Sequence, residues 1–164
     1  MQRSLKTKLV SQFPALEATI DEIIPKKGQL TQVKCEDRIS VYTLDSKPLF
    51  SQHFDDDLVP SLRLLHTLPN DSIPAVRVDR GAIKFILGGA NIMCPGLTSK
   101  GAVLPDSPGY EKGQVVAIYA EGKEHALAVG VLTMSTEEIK SINKGIGVEV
   151  IQYLGDGLWH MKEL

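Results

Sequence analysis

VDRGAIKFILGGANIMCPGL, residues 78–97, reads as a short buried helix, a glycine-paired turn and an apolar strand that ends at Pro95-Gly96. Asp79 stands where an N-cap acceptor belongs, just ahead of the helix. Ala82, Ile83, Phe85, Ile86 and Leu87 leave that helix almost no polar face except Arg80 and Lys84. Those two cations lie four residues apart, so both project from one side. Gly88-Gly89 can end the helix, because one glycine takes a positive φ without a Cβ penalty. The stretch carries no visible catalytic machinery and points to binding rather than turnover.

Downstream, Val115 to Ala120 and Ala126 to Met134 read as a hairpin across Glu121-Gly122-Lys123-Glu124. Ser135 and Glu138 have the spacing of a capping box, opening a helix that stops at Lys144-Gly145. Val148 to Leu154 and Leu158 to Met161 are expected strands joined through Gly155-Asp156-Gly157. With the strand near Ile92 this makes five or six strands, enough to close a small barrel.

Upstream the pattern changes to helical spacing. Leu5, Leu9, Val10 and Phe13 form one stripe, and Leu16, Ile20, Ile23 and Ile24 a second. Pro14 suits the first turn of the second helix and Pro25 stops it. Arg38 to Tyr42 alternates as a strand, Pro48 to Phe54 is a weaker strand, and Ser61 to Leu68 a third helix with Leu62, Leu65 and Leu68 inward. Residues 1–75 hold one glycine, Gly28, and residues 76–164 hold the other 13, so a boundary is expected near Pro74. The expected class is α+β: a small α/β domain over 1–75, then a strand-rich domain over 76–164.

Composition excludes several function classes. With 164 residues, 43% of them hydrophobic, the chain can bury a sizeable core. A formal charge of −2 gives no global basic field, so nucleic-acid binding needs a local patch. Cys35 and Cys94 form no C-x-x-C pair, no apolar run approaches a membrane span, and no secretory h-region opens the chain. A reducing, cytoplasmic setting is expected, with no membrane contact, no metal and no cofactor.

Individual residues carry paired readings. Arg80 and Lys84 bind phosphates or form a solvated pair, while Gly88 and Gly89 admit RNA or merely cap a helix. Cys94 in its apolar run reads as a structural thiol. His53, His66, His125 and His160 are scattered, without metal spacing. Trp159 stacks on a base or fills core. Asp55-Asp56-Asp57 is an acidic loop or a draw for a cation or basic partner, and Lys26-Lys27 and Arg3-Lys6 are small positive patches. Gly145-Ile146-Gly147 lacks the third glycine and following helix of a dinucleotide loop.

Asp79-Arg80-Gly81-Ala82, Gly88 to Gly96, Lys112-Gly113 and Ala128-Val129-Gly130 resemble the PUA domain, an RNA-binding pseudo-β-barrel. The whole chain is similar to the malignant T-cell-amplified sequence family of translation proteins. Pro25-Lys26-Lys27, Ser61 to His66, Gly81 to Phe85, Ala90 to Thr98, Asn143 to Gly147 and Asp156 to Met161 carry that likeness. Lys100 to Tyr110 reads differently from the family pattern, and many PUA domains have a basic residue where Cys94 stands.

The resemblance implies a non-catalytic translation factor. It would bind the small ribosomal subunit and the tRNA acceptor end together with the density-regulated protein. Its roles would be reinitiation and the release of deacylated tRNA after termination. The PUA half would face RNA through Arg80, Lys84, Gly88, Gly89, Asn91, Trp159 and His160, and the first half would hold the partner. The competing readings are an RNA-binding accessory subunit of an RNA-modification enzyme and a small hydrolase using Cys94 and His125. The latter lacks an oxyanion turn and an orienting acid.

Overall fold

A computed structural model describes residues 2–160. Helix α1 (Gln2–Gln12) buries Leu5 and Leu9, a 3-10 turn (Pro14–Ala18) buries Leu16, and α2 (Ile20–Ile23) buries Ile20 and Ile23. Both predicted stripes therefore form, but the second is divided at Thr19, which has φ −117° and ψ 0°. Pro14 does occupy a first-turn position.

A four-stranded antiparallel sheet follows: β1 (Leu30–Lys34), β2 (Ile39–Leu44), β3 (Lys47–His53) and β4 (Val59–Pro60), in that spatial order. The sequence showed β2 and β3 only. β1 has just Leu30 and Val33 partly covered, and β4 is two residues long, so neither carries an alternating signal. Asp45 (φ 50°) and Ser46 (φ 70°) join β2 to β3 in a tight turn with both central residues left-handed. Helix α3 (Leu62–Leu65) starts where the Ser61 hydroxyl accepts a hydrogen bond from the Leu64 N–H, and it is shorter than the expected Ser61 to Leu68.

The second sheet comprises β5 (Ala75–Val78), β6 (Ile92–Met93), β7 (Val115–Ala120), β8 (Ala128–Leu132) and β9 (Ile146–Tyr153), ordered β5-β7-β8-β9-β6. β5 runs parallel to β7 and the other pairs are antiparallel. Helices α4 (Ile83–Leu87) and α5 (Pro95–Thr98) flank β6, and α6 (Thr136–Ile142) carries the predicted capping box between Ser135 and Glu138. The sheet is a curled half-barrel whose terminal strands β5 and β6 are not paired with each other. The β8–β9 pairing carries a register shift beside Gly130. A Cβ there would stand 2.6 Å from the carbonyl oxygen of Glu149, so this close approach admits only glycine.

One expected strand is corrected. Leu158 to His160 lie in a helical turn, α7 (Gly157–His160), and Met161 falls outside the described residues. The Asp156 carboxylate accepts hydrogen bonds from Tyr153 N–H at 3.1 Å and Trp159 N–H at 2.8 Å. Such capping turns the chain back into a helix rather than onward into a ladder.

All but one residue of β7 are buried because both faces of the second sheet are covered. Val115, Ala117 and Val129 pack with Leu9, Leu16, Leu58 and Leu65 of the first half. Val116, Ile118 and Ala128 pack on the other side with Val78, Ile86, Leu97 and Ile139. The first half thus completes its core on the second sheet. Gln152 strengthens the seam by donating from Nε2 to the Pro60 carbonyl within the buried interior.

Candidate nucleic-acid interface

The 78–97 stretch folds around Asp79. One carboxylate oxygen caps the helix start by accepting from the Ala82 N–H at 3.1 Å, and the other accepts from the Ser99 hydroxyl. Arg80–Ala82 form a 3-10 turn that runs into α4. The helix ends in paired reverse bonds: Gly89 N–H to the Ile86 carbonyl at 2.9 Å and Ala90 N–H to the Phe85 carbonyl at 3.0 Å. This is a Schellman closure with Gly89, at φ 90°, in the left-handed position.

The helix is not buried as expected. Ile86 is buried and Ile83 packs partly buried against the same core, while Phe85 is 60% and Leu87 40% exposed. Five residues make less than a turn and a half, so consecutive apolar positions cannot all face one core. Phe85 helps to bound an open groove of about 790 Å³. Phe85, Met93, Pro95 and Ile146 supply apolar wall, Gly81, Ala82, Ala90 and Gly96 keep it shallow in side chains, and Asp79, Asn91 and Ser99 are its polar groups. Met93 is 50% and Ile146 41% exposed. No described residue of the first half lines the groove, so the ledge faces solvent rather than the protein's own amino-terminal lobe.

Arg80 and Lys84 are exposed and flank the groove without lining it. Arg80 extends over the β7–β8 turn, where its Nη2 occupies the space a Cβ on Gly122 would need. Lys84 places its ammonium 5.1 Å from the centre of the Phe85 ring. Gly88 and Gly89 are exposed at the helix end. Asn91 lines the groove, but its Oδ1 accepts from the Val150 N–H at 3.0 Å and so repairs the irregular β6–β9 pairing. Its NH₂ is the part of the amide left for another partner.

Trp159 and His160 are not brought to this groove. Trp159 packs against the first-half core under Arg63, whose guanidinium lies 4.2 Å from the ring centre and whose Nε donates to the Trp159 carbonyl at 2.8 Å. His66 is 5.1 Å from the same ring, stacks on His125 at 5.0 Å, and contacts the Ala126 carbonyl through Nε2 at 2.8 Å. These four side chains, far apart in sequence, fasten the last helical turn and the β7–β8 hairpin to α3. His160 is exposed at the end of α7.

The groove combines an exposed aromatic ring and small residues, with the Lys84 ammonium beside that ring and Arg80 adjacent in sequence to the lining residues Asp79 and Gly81. Such a surface suits an unstacked base and its adjoining phosphate better than a duplex backbone. Ile146 joins from some fifty positions away, and neither Gly145-Ile146-Gly147 nor the Asn143 to Gly147 block in the sequence places it at this groove.

Other candidates resolve as structure. Cys94 is fully buried, with its thiol on the Lys144 carbonyl at 3.4 Å. Lys6 of the Arg3-Lys6 patch is paired with Asp21 at 2.9 Å, and that contact holds the Asp21 carboxyl below its ordinary value. Burial raises the Tyr119 hydroxyl. Among the described residues no three His, Cys, Asp or Glu side chains converge as a metal site, and no helix is long and apolar enough to cross a membrane.

Residues 1–69 match the Pre-PUA-like domain and residues 74–154 the PUA domain. The chain is 61% identical over 160 residues to translation machinery-associated protein 20 of Saccharomyces cerevisiae, covering 98% of this chain and 87% of the relative. It is 49% identical over 160 residues to malignant T-cell-amplified sequence 1 of Rattus norvegicus, covering 98% and 86%. Among solved structures, a hypothetical protein from Pyrococcus horikoshii superposes with a TM-score of 0.77 at 25% identity, covering 98% of this chain and 94% of that one.

Proposed function

The chain belongs to the family of the malignant T-cell-amplified sequences and translation machinery-associated protein 20, and from that premise we propose a non-catalytic cytoplasmic translation factor. A translation-associated role built on an RNA-binding PUA domain is common ground for the family. The finer reading is that the protein binds the small ribosomal subunit and the tRNA acceptor end together with the density-regulated protein. In that setting it supports reinitiation and release of deacylated tRNA.

The observation that carries this reading is the solvent-open groove beside α4, bounded by residues of the PUA half alone. A single-stranded end can lay a base against Phe85 while its phosphates approach Arg80 and Lys84. Base–aromatic stacking contributes about 1–3 kcal/mol per base. The cations add a salt-dependent component.

Co-sedimentation with purified small subunits, with and without the partner, tests the assignment. Binding that rises when the density-regulated protein is added is expected, and no sedimentation under either condition refutes it. Replacing Arg80 and Lys84 together by alanine is expected to make the slope of log affinity against log salt shallower by about 1–2 units. An unchanged slope removes both residues from the RNA contact.

A further inference from the structure

A second recess, of about 550 Å³, lies where the two sheets meet. Val59 of the first sheet and Val115 and Val131 of the second give it an apolar floor. Ile39 and Ile151 stand at its mouth, 37% and 43% exposed. The rim is acidic: Asp55, Asp56 and Asp57 all line it, and all three are exposed. His53 lies 3.2 Å from Asp56. Neither Asp55 nor Asp57 has an ion-pair partner among the described residues, and no lysine or arginine lines the recess.

Three adjacent carboxylates on one loop repel one another and repel a phosphate backbone. The exposed isoleucines below them favour an apolar occupant. The edge strand β4 is only two residues long and includes Pro60, which has no N–H, so an added strand finds little ladder there. Recognition at this place therefore runs through side chains.

We propose that the recess docks an extended basic segment of a partner protein, one that sets a bulky apolar side chain between Ile39 and Ile151 and lysines or arginines against Asp55, Asp56 and Asp57. This goes beyond the RNA reading, which uses a groove formed by other residues.

The probe is a fluorescein-labelled peptide of alternating arginine and leucine, with a glutamate–leucine peptide as control, titrated into the full chain. Amide resonances of Ile39, His53 and Ile151 are expected to shift with the basic peptide only. The triple substitution Asp55→Asn, Asp56→Asn, Asp57→Asn is expected to weaken binding at least tenfold at low salt, and Ile151→Lys to do the same at all salt concentrations. Ile151→Ser serves if the lysine variant does not melt cooperatively. RNA affinity of the triple variant is expected to stay within twofold of the parent. Peptide shifts confined to the Phe85–Met93 groove, peptide affinity unchanged by the aspartate substitutions, or RNA displacing the peptide from this recess would each overturn the proposal.

Discussion

Gly88 and Gly89 stand side by side, yet alanine at the two positions should act in opposite directions. A Cβ on Gly88 would meet the Phe85 carbonyl oxygen at 3.4 Å, and one on Gly89 would meet the Tyr153 ring at 3.6 Å. Both are ordinary contacts, so space does not distinguish them. Backbone sign does: φ is −88° at Gly88 and 90° at Gly89. Alanine at 88 restricts the unfolded chain without straining the folded one and should add about 0.4–1 kcal/mol of stability. Alanine at 89 is forced into the left-handed region and should cost about 1–2 kcal/mol. The two variants should therefore differ by about 1.5–3 kcal/mol in urea unfolding followed by circular dichroism, with equal m-values. A difference below about 0.5 kcal/mol would refute the Schellman assignment on which this rests. The same proteins separate capping from RNA approach. If the exposed ledge must meet a strand closely, Gly88→Ala loses RNA affinity while gaining stability.

Phe85→Ala should weaken single-stranded RNA binding by about 1–3 kcal/mol in fluorescence anisotropy, with a small change in melting because most of the ring is already in solvent. Trp159→Ala should instead lower stability by about 2–3 kcal/mol, since the ring packs on the first core and under Arg63, while RNA affinity of the folded variant is unchanged. A large RNA defect in that variant without loss of stability would return Trp159 to the interface. Native thiol labelling should modify the exposed Cys35 quickly and leave the buried Cys94 unmodified until the chain unfolds. Rapid labelling of both would contradict the packed environment of Cys94.

The shared core also dictates how partner binding has to be tested. Leu58 and Leu65 pack with Val115, Ala117 and Val129 from the second sheet. A fragment of residues 1–75 would expose that face to water, so partner contacts should be mapped by substitutions in the full chain.

Local and periodic features are legible in the sequence itself. The stripes of α1 and α2, the Ser135–Glu138 box, the β7–β8 hairpin and the cap at Asp79 all depend on residues within a few positions of one another. So did the α+β class, because spacing of 3.6 in one half gives way to short strands and glycine turns in the other. Blocks such as residues 61–66 and 156–161 carried the family resemblance as well.

Tertiary structure decided what those elements face. Phe85 reads as buried from its apolar neighbours, but a helix of five residues cannot turn every position inward, and Ile86 with Ile83 takes the core side. Trp159 reads as base-stacking or core, and the contacts that place it beside Arg63 and His66 span almost a hundred residues. Ile146 joins the groove beside α4, and Ile151 the acidic recess, only through the order β5-β7-β8-β9-β6. Periodicity tells which side of a strand or helix is apolar. Whether that side meets core, a partner or solvent depends on contacts between distant segments, and these exist only once the chain has closed on itself.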